Sequence, residues 1–251
     1  MTNNAKKVNW GLNIDNQFIR QAKWTKMFRN QIYFQIRLSK ARKILDAGCG
    51  TGVITKEIRE KCSAEITAVD IDSTMIEIAK EKVSNVDFRV ENVENLSMKK
   101  NYFDIIISQY LFLWLKNPEK AINEMARVCK KNGFVVALAE PDYGGWVEYP
   151  DMGLGKMHLK SLEKEGADPL IGRKLKYLFE SAGLETTISV IAQVWDKESL
   201  LENIEEEWRR VLETGMISQK EFKVKIIEEK QLIKEDTRII FIPVFTAVGR
   251  K

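Results

Sequence analysis

The sequence predicts an α/β fold built on a doubly wound parallel sheet. Three observations carry the prediction. From residue 43 onward, short apolar runs alternate with segments of helical periodicity, the pattern of βαβ units. Glycines at 48, 50 and 52 separate the first such run from the first helix after it. Of 251 residues, 44% are apolar and 30% charged, which suits a buried core and not a disordered chain.

The elements follow in order. Asn16 to Leu38 is predicted helical, with Phe18, Ile19, Ala22, Phe28, Ile32 and Ile36 as its apolar stripe. Lys43 to Asp46 is a short strand and Val53 to Lys61 a helix. Glu65 to Asp70 is a second strand, followed by a helix with Met75, Ile76 and Ala79 on one face. Val86 to Val90 is a third strand. Phe103 to Ser108 is a fourth, and its consecutive isoleucines suit burial on both faces. Ala121 to Lys130 is a helix with Ile122, Met125, Ala126 and Cys129 at the spacing of one buried face. Gly133 to Glu140 is a fifth strand, and Ile171 to Ala182 a helix ended by Gly183. Leu184 to Ala192 and Arg238 to Val248 are two more strands. Two charged amphipathic helices lie between them, over roughly residues 197–235. An insertion there reads either as a stabilising helical pair or as a lid over a site.

Composition excludes several functions. His158 is the single histidine, so a multi-histidine metal site is excluded and a Ser-His-Asp triad would have to use it. It lies in a polar stretch and reads as a surface residue. Cys49, Cys62 and Cys129 form no CxxC, which argues against a disulfide framework or zinc site and for a reducing, cytoplasmic location. The first 30 residues hold no apolar core of a signal peptide. The longest nearly apolar run, Ile105 to Leu115, is about half the ~20 residues of a membrane span, so no membrane partner is expected. The net charge of +4 does not by itself indicate nucleic acid. It is unevenly spread. Residues 1–43 hold ten basic residues and one acid, a balance of +9, and the remaining 208 residues carry −5.

The chemistry centres on Lys43 to Val53. Glycine lets the backbone turn tightly and approach a ligand with no Cβ in the way. A G-x-G-x-x-G dinucleotide fingerprint starting at Gly48 would need glycine at 53, where Val53 stands, and the lysine of a P-loop is missing. The pattern present is D-x-G-x-G-x-G from Asp46 to Gly52. It resembles motif I of the class I S-adenosylmethionine-dependent methyltransferases. Three further segments follow in the right order, and the resemblance is close over about residues 40–145. Asp70 ends the second strand, 20 residues after Gly50. The resemblance implies that it accepts hydrogen bonds from both ribose hydroxyls, with Ile71 and Met75 packed on adenine. Glu91 to Leu96 is similar to the family's G-D-A-E-x-L segment, with Glu91 in the glycine's place. That implies Asn92 at the adenine amino group and the Val93 N–H at a ring nitrogen. Ser108-Gln109-Tyr110 resembles the loop after the fourth strand, with Gln109 toward the methionine end. Asp46 would act on the positive amino acid end, directly or through the loop. Backbone N–H groups around Thr51 and Gly52, at the helix start, would favour the carboxylate. Cys49 is a small packing residue of the same loop.

The resemblance implies a Rossmann-like, mostly parallel seven-stranded sheet. Its last strand is antiparallel, a helical segment precedes it, and the helical insertion lies between the last two strands. Residues 1–251 would form a single domain. Within it, 1–40 is the N-terminal helical segment, 41–145 the cofactor-binding core and 146–251 the substrate-side half. The implied reaction is methyl transfer from S-adenosylmethionine to an O, N, C or S acceptor by in-line displacement. A small-molecule acceptor is favoured. Methylation of RNA or protein, docked on the basic N-terminal segment, is one alternative, and a non-catalytic cofactor-binding protein is another. The oligomeric state is left open. Such chemistry fixes no single catalytic residue, because a base matters only if the acceptor must lose a proton. Candidates after the fourth and fifth strands are Tyr110, Glu140, Asp142 and Tyr143. A plain turn over Glu140 to Gly145, and a core-filling role for Tyr110, Phe112 and Trp114, stay open. Gln21 to Thr25 is expected to help close the site.

Overall fold

The computed structural model describes residues 14–251; the first part of the predicted N-terminal segment lies outside them. The described chain opens with α1 (Ile14–Gln35). It continues through β1 (Lys43–Ala47), α2 (Val53–Lys61), β2 (Glu65–Asp70), α3 (Ser73–Lys82), β3 (Asp87–Val90), β4 (Phe103–Ser108), α4 (Pro118–Val128) and β5 (Cys129–Pro141). The second half comprises β6 (Val147–Tyr149), α5 (Leu154–Glu165), α6 (Leu175–Ser181), β7 (Glu185–Ile191), α7 (Lys197–Glu213), α8 (Gln219–Lys234), β8 (Ile239–Phe241) and β9 (Val244–Arg250).

Seven strands form one sheet in the order β3-β2-β1-β4-β5-β9-β7. The first five run parallel, and β9 is antiparallel to both β5 and β7. The helical pair α7–α8 stands between β7 and β9 in the chain, as the sequence implies. Strand order reverses where β1 meets β4, and a ligand crevice opens beyond the carboxyl ends of the strands at such a point.

Both faces of the sheet are covered. Ile44, Ile105, Ile107 and Val136 pack with Ile32 and Ile36 of α1 and with Ile54 and Ile58 of α2. Leu45, Ile106 and Val135 pack with Ile122 and Met125 of α4 and with Leu175 and Phe179 of α6. Arg29 locks α1 to α2. It is 1% exposed, and it donates to the Ala22 carbonyl (2.6 Å) and to Glu57 Oε2 (2.6 Å).

A third cluster stands apart from the sheet and joins α5, α7, α8 and β8 through Leu154, Trp208, Phe222, Ile226 and Ile240. A buried polar knot ties it together. Trp208 Nε1–H donates to Glu229 Oε1 (2.9 Å). Arg238 donates to both Glu229 oxygens (2.6 and 2.9 Å), to Glu148 Oε2 (2.7 Å) and to the Pro150 carbonyl (2.9 Å).

Three differences from the sequence reading have physical causes. The single strand expected over Arg238 to Val248 is broken at Pro243, which has no N–H for a ladder. β8 instead pairs with β6 in a separate small sheet, and β9 enters the main one. The helix expected from Ile171 begins as a 3-10 turn over Gly172–Lys174 and is α-helical only from Leu175. α5 was not anticipated, and it overturns the reading of His158 as a surface residue. Leu154, His158, Ser161 and Leu162 form the buried stripe of that helix, and His158 is 2% exposed. Among the described residues no helix is long and apolar enough to cross a membrane.

Candidate active site

Two cavities adjoin at the crevice. The first, of about 730 Å³, opens beyond the carboxyl ends of β1, β2 and β4. Asp46, Gly48, Cys49 and Gly50 supply its floor. Asp70, Ile71 and Met75 supply the β2 side, Asn92 and Val93 the β3 side, and Gln109 the β4 side.

Asp70 is fixed by the backbone. Its Oδ2 accepts from the Gly50 N–H (2.9 Å) and its Oδ1 from the Asp72 N–H (3.0 Å). Burial pushes this carboxyl above its ordinary range, and those two donors oppose the shift. Gly50 has φ +51°, and a Cβ there would lie 2.7 Å from the Phe18 ring of α1. Glycine at 50 therefore permits both the turn and the approach of α1. Asp46 is buried behind the loop and accepts from the Thr55 hydroxyl (2.6 Å); burial raises it to about 7. Cys49 is buried and its thiol is pushed far up by burial, so it is an inert packing group. The Asn92 Oδ1 accepts from the Glu94 N–H (2.8 Å). Gln109 Oε1 is buried and has no partner.

Thr51 and Gly52 do not line this cavity, contrary to the sequence reading. Here the chain is already turning into α2. Thr51 is fully buried and donates to Asp15 Oδ1 (2.7 Å). A Cβ on Gly52 would sit 3.0 Å from the Ala79 Cβ, so that glycine serves the packing of α2 against α3.

The second cavity, of about 650 Å³, is bounded by α1, α5, α7 and the segment after β5. Gln17, Gln21, Tyr110, Tyr143 and Arg210 line both cavities and form their common wall. Tyr110 has φ +52°, a left-handed conformation that a non-glycine residue adopts at a cost. Its N–H donates to the Ala139 carbonyl (2.9 Å). Burial raises the hydroxyls of Tyr110 and Tyr143 above their ordinary range, so both rings stay uncharged.

Glu140 and Asp142 do not line either cavity. Glu140 is fully buried, and its carboxylate accepts from the N–H groups of Leu111 (2.8 Å), Phe112 (3.0 Å) and Leu113 (3.4 Å). Burial raises it to about 7. It holds the loop that presents Tyr110. Asp142 accepts from Arg173 Nε (2.6 Å), Nη2 (2.7 Å) and the backbone N–H (3.2 Å). Both carboxylates thus serve the scaffold, and of the four catalytic candidates only the two tyrosines reach the cavities. Phe112 is core, and Trp114 lines the first cavity.

The sequence reading did not find His158, Trp195, Glu207 and Arg210 as cavity residues. His158 stacks on Tyr143 with centroids 4.8 Å apart, and burial drives its pKa well down, so the imidazole is neutral. Glu207 Oε2 is 3.2 Å from His158 Nδ1, and burial raises Glu207 to about 7. A signal existed. His158 lies at i+4 from Leu154 and at i−4 from Leu162, on the apolar stripe of its helix.

A glycine-floored crevice at the strand-order reversal, with a fixed carboxylate ending β2, is the geometry of a Rossmann-like fold and fits that of the class I S-adenosylmethionine-dependent methyltransferases. Residues 45–137 match the family model described as a methyltransferase domain. The chain is 36% identical over 117 residues to a malonyl-[acyl-carrier protein] O-methyltransferase of Acetivibrio thermocellus, covering 45% of this chain and 41% of that one. It is 32% identical over 125 residues to the ubiquinone/menaquinone biosynthesis C-methyltransferase of Campylobacter jejuni, covering 47% and 53%. The chain spans about a third to a half of the length of the curated relatives it matches. Among solved structures, an N-methyltransferase of Haemonchus contortus in complex with phosphomonomethylethanolamine and S-adenosylhomocysteine shares the fold. Its TM-score is 0.60 at 17% identity, over 96% of this chain and 58% of that one. Residues 45–137 are thus similar to a methyltransferase domain, and the fold is the Rossmann-like one of class I S-adenosylmethionine-dependent methyltransferases.

Proposed function

We propose that the protein methylates a small molecule held in the second cavity, using S-adenosylmethionine held in the first. The observation that carries this reading is the common wall. Tyr110, Tyr143 and Arg210 face both cavities, so their ligands would be neighbours. The residues around the first cavity suit the cofactor's parts. Asp70 would take the ribose hydroxyls, since a carboxylate fixed by two N–H groups still has lone pairs for a diol. Ile71, Met75 and Val93 offer apolar contact to the adenine, with Asn92 at its amino group. Gln109, whose buried oxygen lacks a partner, would meet the amino acid end, with Asp46 acting behind the loop. Cys49 and the backbone at Gly48 and Gly50 would complete the floor.

S-adenosylmethionine supplies a methyl group already activated by its sulfonium. The protein's work is then alignment and exclusion of water, and good alignment of two reactants contributes roughly 7–11 kcal/mol. The uncharged rings of Tyr110 and Tyr143 are rigid walls for that purpose. α1 lies across the first cavity through Gln17, Phe18 and Gln21, which supports the expected closure by this segment. We read the chain as one domain, with 41–145 as cofactor core and 146–251 as acceptor half. The three cysteines are unpaired, which supports a reducing, cytoplasmic setting. A carboxylate-rich acceptor cavity disfavours the polyphosphate backbone of RNA.

Calorimetric titration with S-adenosylmethionine and S-adenosylhomocysteine tests the reading. Saturable binding of one equivalent is expected, and no binding overturns it. Filter binding of RNA at two salt concentrations should show no salt-sensitive complex; a steep salt dependence would favour a nucleic-acid acceptor.

A further inference from the structure

The second cavity combines aromatic walls with an excess of carboxylates. Trp24 comes from α1, Tyr110 follows β4, Tyr143 follows β5 and Trp195 precedes α7. The two tryptophans meet edge to face at 6.0 Å, and His158 closes the box from α5. Seven carboxylates line the cavity against four lysines and arginines. Several are already paired. Glu202 holds Lys23 at 3.0 Å, Glu165 holds Arg210, and Glu206 lies 3.5 Å from Arg209.

Glu207 differs from these. Among the described residues it makes no hydrogen bond, and a quarter of its side chain stays open (25% exposed). Its close polar neighbour is the Nδ1 of His158, which is itself left without a hydrogen-bond partner. That imidazole is buried and neutral, so it does not cancel the carboxylate's charge. The charged groups facing Glu207 are Arg210 and Glu206 on its own helix and Arg20 on α1, and Arg210 is engaged by Glu165. The Nε1–H groups of Trp24 and Trp195 are also buried without partners. Buried polar atoms without partners are rare unless a ligand or water meets them.

We propose that this cavity takes its acceptor as a protonated amine, held between the Glu207 carboxylate and the aromatic side chains that line it, Tyr110, Trp24 and Trp195 among them, and that Glu207 removes one of its protons. The proposal rests on the methyltransferase reading above and names the substrate class of its acceptor site. A carboxylate and aromatic faces both attract an ammonium, whereas an anionic acceptor would meet like charge. The balance closes across the two cavities. One N–H bond breaks and one O–H bond forms on Glu207; the electron pair left on nitrogen would form the N–CH3 bond as the S–CH3 bond breaks, its pair staying on the sulfur that leaves as neutral thioether. The proton later passes to solvent. Burial places Glu207 near neutrality, which suits a group that must take a proton at physiological pH.

The test uses phenethylamine and its carboxylate counterpart 3-phenylpropanoate, titrated calorimetrically into the full-length protein saturated with S-adenosylhomocysteine at pH 7.5. The amine is expected to bind at least tenfold more tightly. Glu207→Gln should weaken the amine at least tenfold and leave the affinity for S-adenosylmethionine unchanged, which also shows that the variant is folded. Lowering the pH from 8 to 6 should weaken amine binding to the native protein, as Glu207 gains a proton, and should leave the variant flat. Equal or tighter binding of 3-phenylpropanoate overturns the proposal. So does an amine affinity indifferent to Glu207→Gln, or no amine binding by protein whose cofactor site is intact. Failure of the native protein to bind S-adenosylmethionine overturns the methyltransferase reading, and this proposal with it.

Discussion

Around the first cavity the acidic groups are held by the chain's own backbone. Asp70 accepts from Gly50 and Asp72, and Glu140 accepts from three successive N–H groups that shape the loop at Tyr110. Around the second cavity the side chains of Trp24, Trp195, His158 and Arg210 leave buried nitrogens open. The difference teaches which half is preorganised. The cofactor side has its carboxylates fixed before any ligand arrives and leaves chiefly the Gln109 oxygen open, whereas the acceptor side leaves several buried nitrogens for a ligand to complete.

The sharpest way to break this contrast is Asp70→Ala. It removes the only side-chain acceptor that the structure places on the Gly50 N–H. Hydrogen bonds to charged groups contribute about 1.5–3 kcal/mol each, so losing two should weaken S-adenosylmethionine binding at least 100-fold. Amine binding in the second cavity should persist. Cofactor affinity within threefold of the native value, measured by calorimetry, would refute the ribose assignment.

Arg238→Met acts on the other half. It leaves Glu229 and Glu148 buried without their cation, a change that costs roughly 3–5 kcal/mol. Urea denaturation should show a loss of that order, with cofactor binding retained at low temperature. A loss below about 1 kcal/mol would mean that the knot does not hold the acceptor half together.

A further expected effect is on pH. Asp46 and Glu140 titrate near 7 in the folded protein and near 4 when unfolded. The folded state therefore binds their protons more tightly. That contribution to stability is complete below about pH 4 and is lost as pH rises through about 7. The Tm should fall between pH 5.5 and 8, and Glu140→Gln should flatten the fall. A Tm that rises over this window would contradict the burial of these groups.

The first half of the fold was legible because its signals are local. Val53–Lys61, Glu65–Asp70 and Phe103–Ser108 fall where periodicity puts them, and the glycine loop, Asp70, Asn92 and Gln109 all reach one cavity. The acceptor side was not legible in the same way. Glu207 and Arg210 lie on a helix whose charged faces look alike in sequence, and only packing against α5 turns one of them inward. Glu140 and Asp142 resemble active-site acids because they follow a strand, yet backbone N–H groups and Arg173 claim them. That competition depends on partners 27 to 31 residues away, a separation beyond the reach of local periodicity.

Pro243 gives the two halves a joint. The strand beside β5 ends there, and the residues just before it belong to the small sheet with β6. Because Pro243 has no N–H for a ladder and keeps only its carbonyl bond from the Asp142 N–H (2.9 Å), the pairing of the small sheet is not continuous with that of β9. Substitutions in the small sheet and in the α5–α7–α8 cluster can therefore accumulate without disturbing the alignment of the main sheet. A new substrate preference could arise on this scaffold while the cofactor-binding side stays as it is.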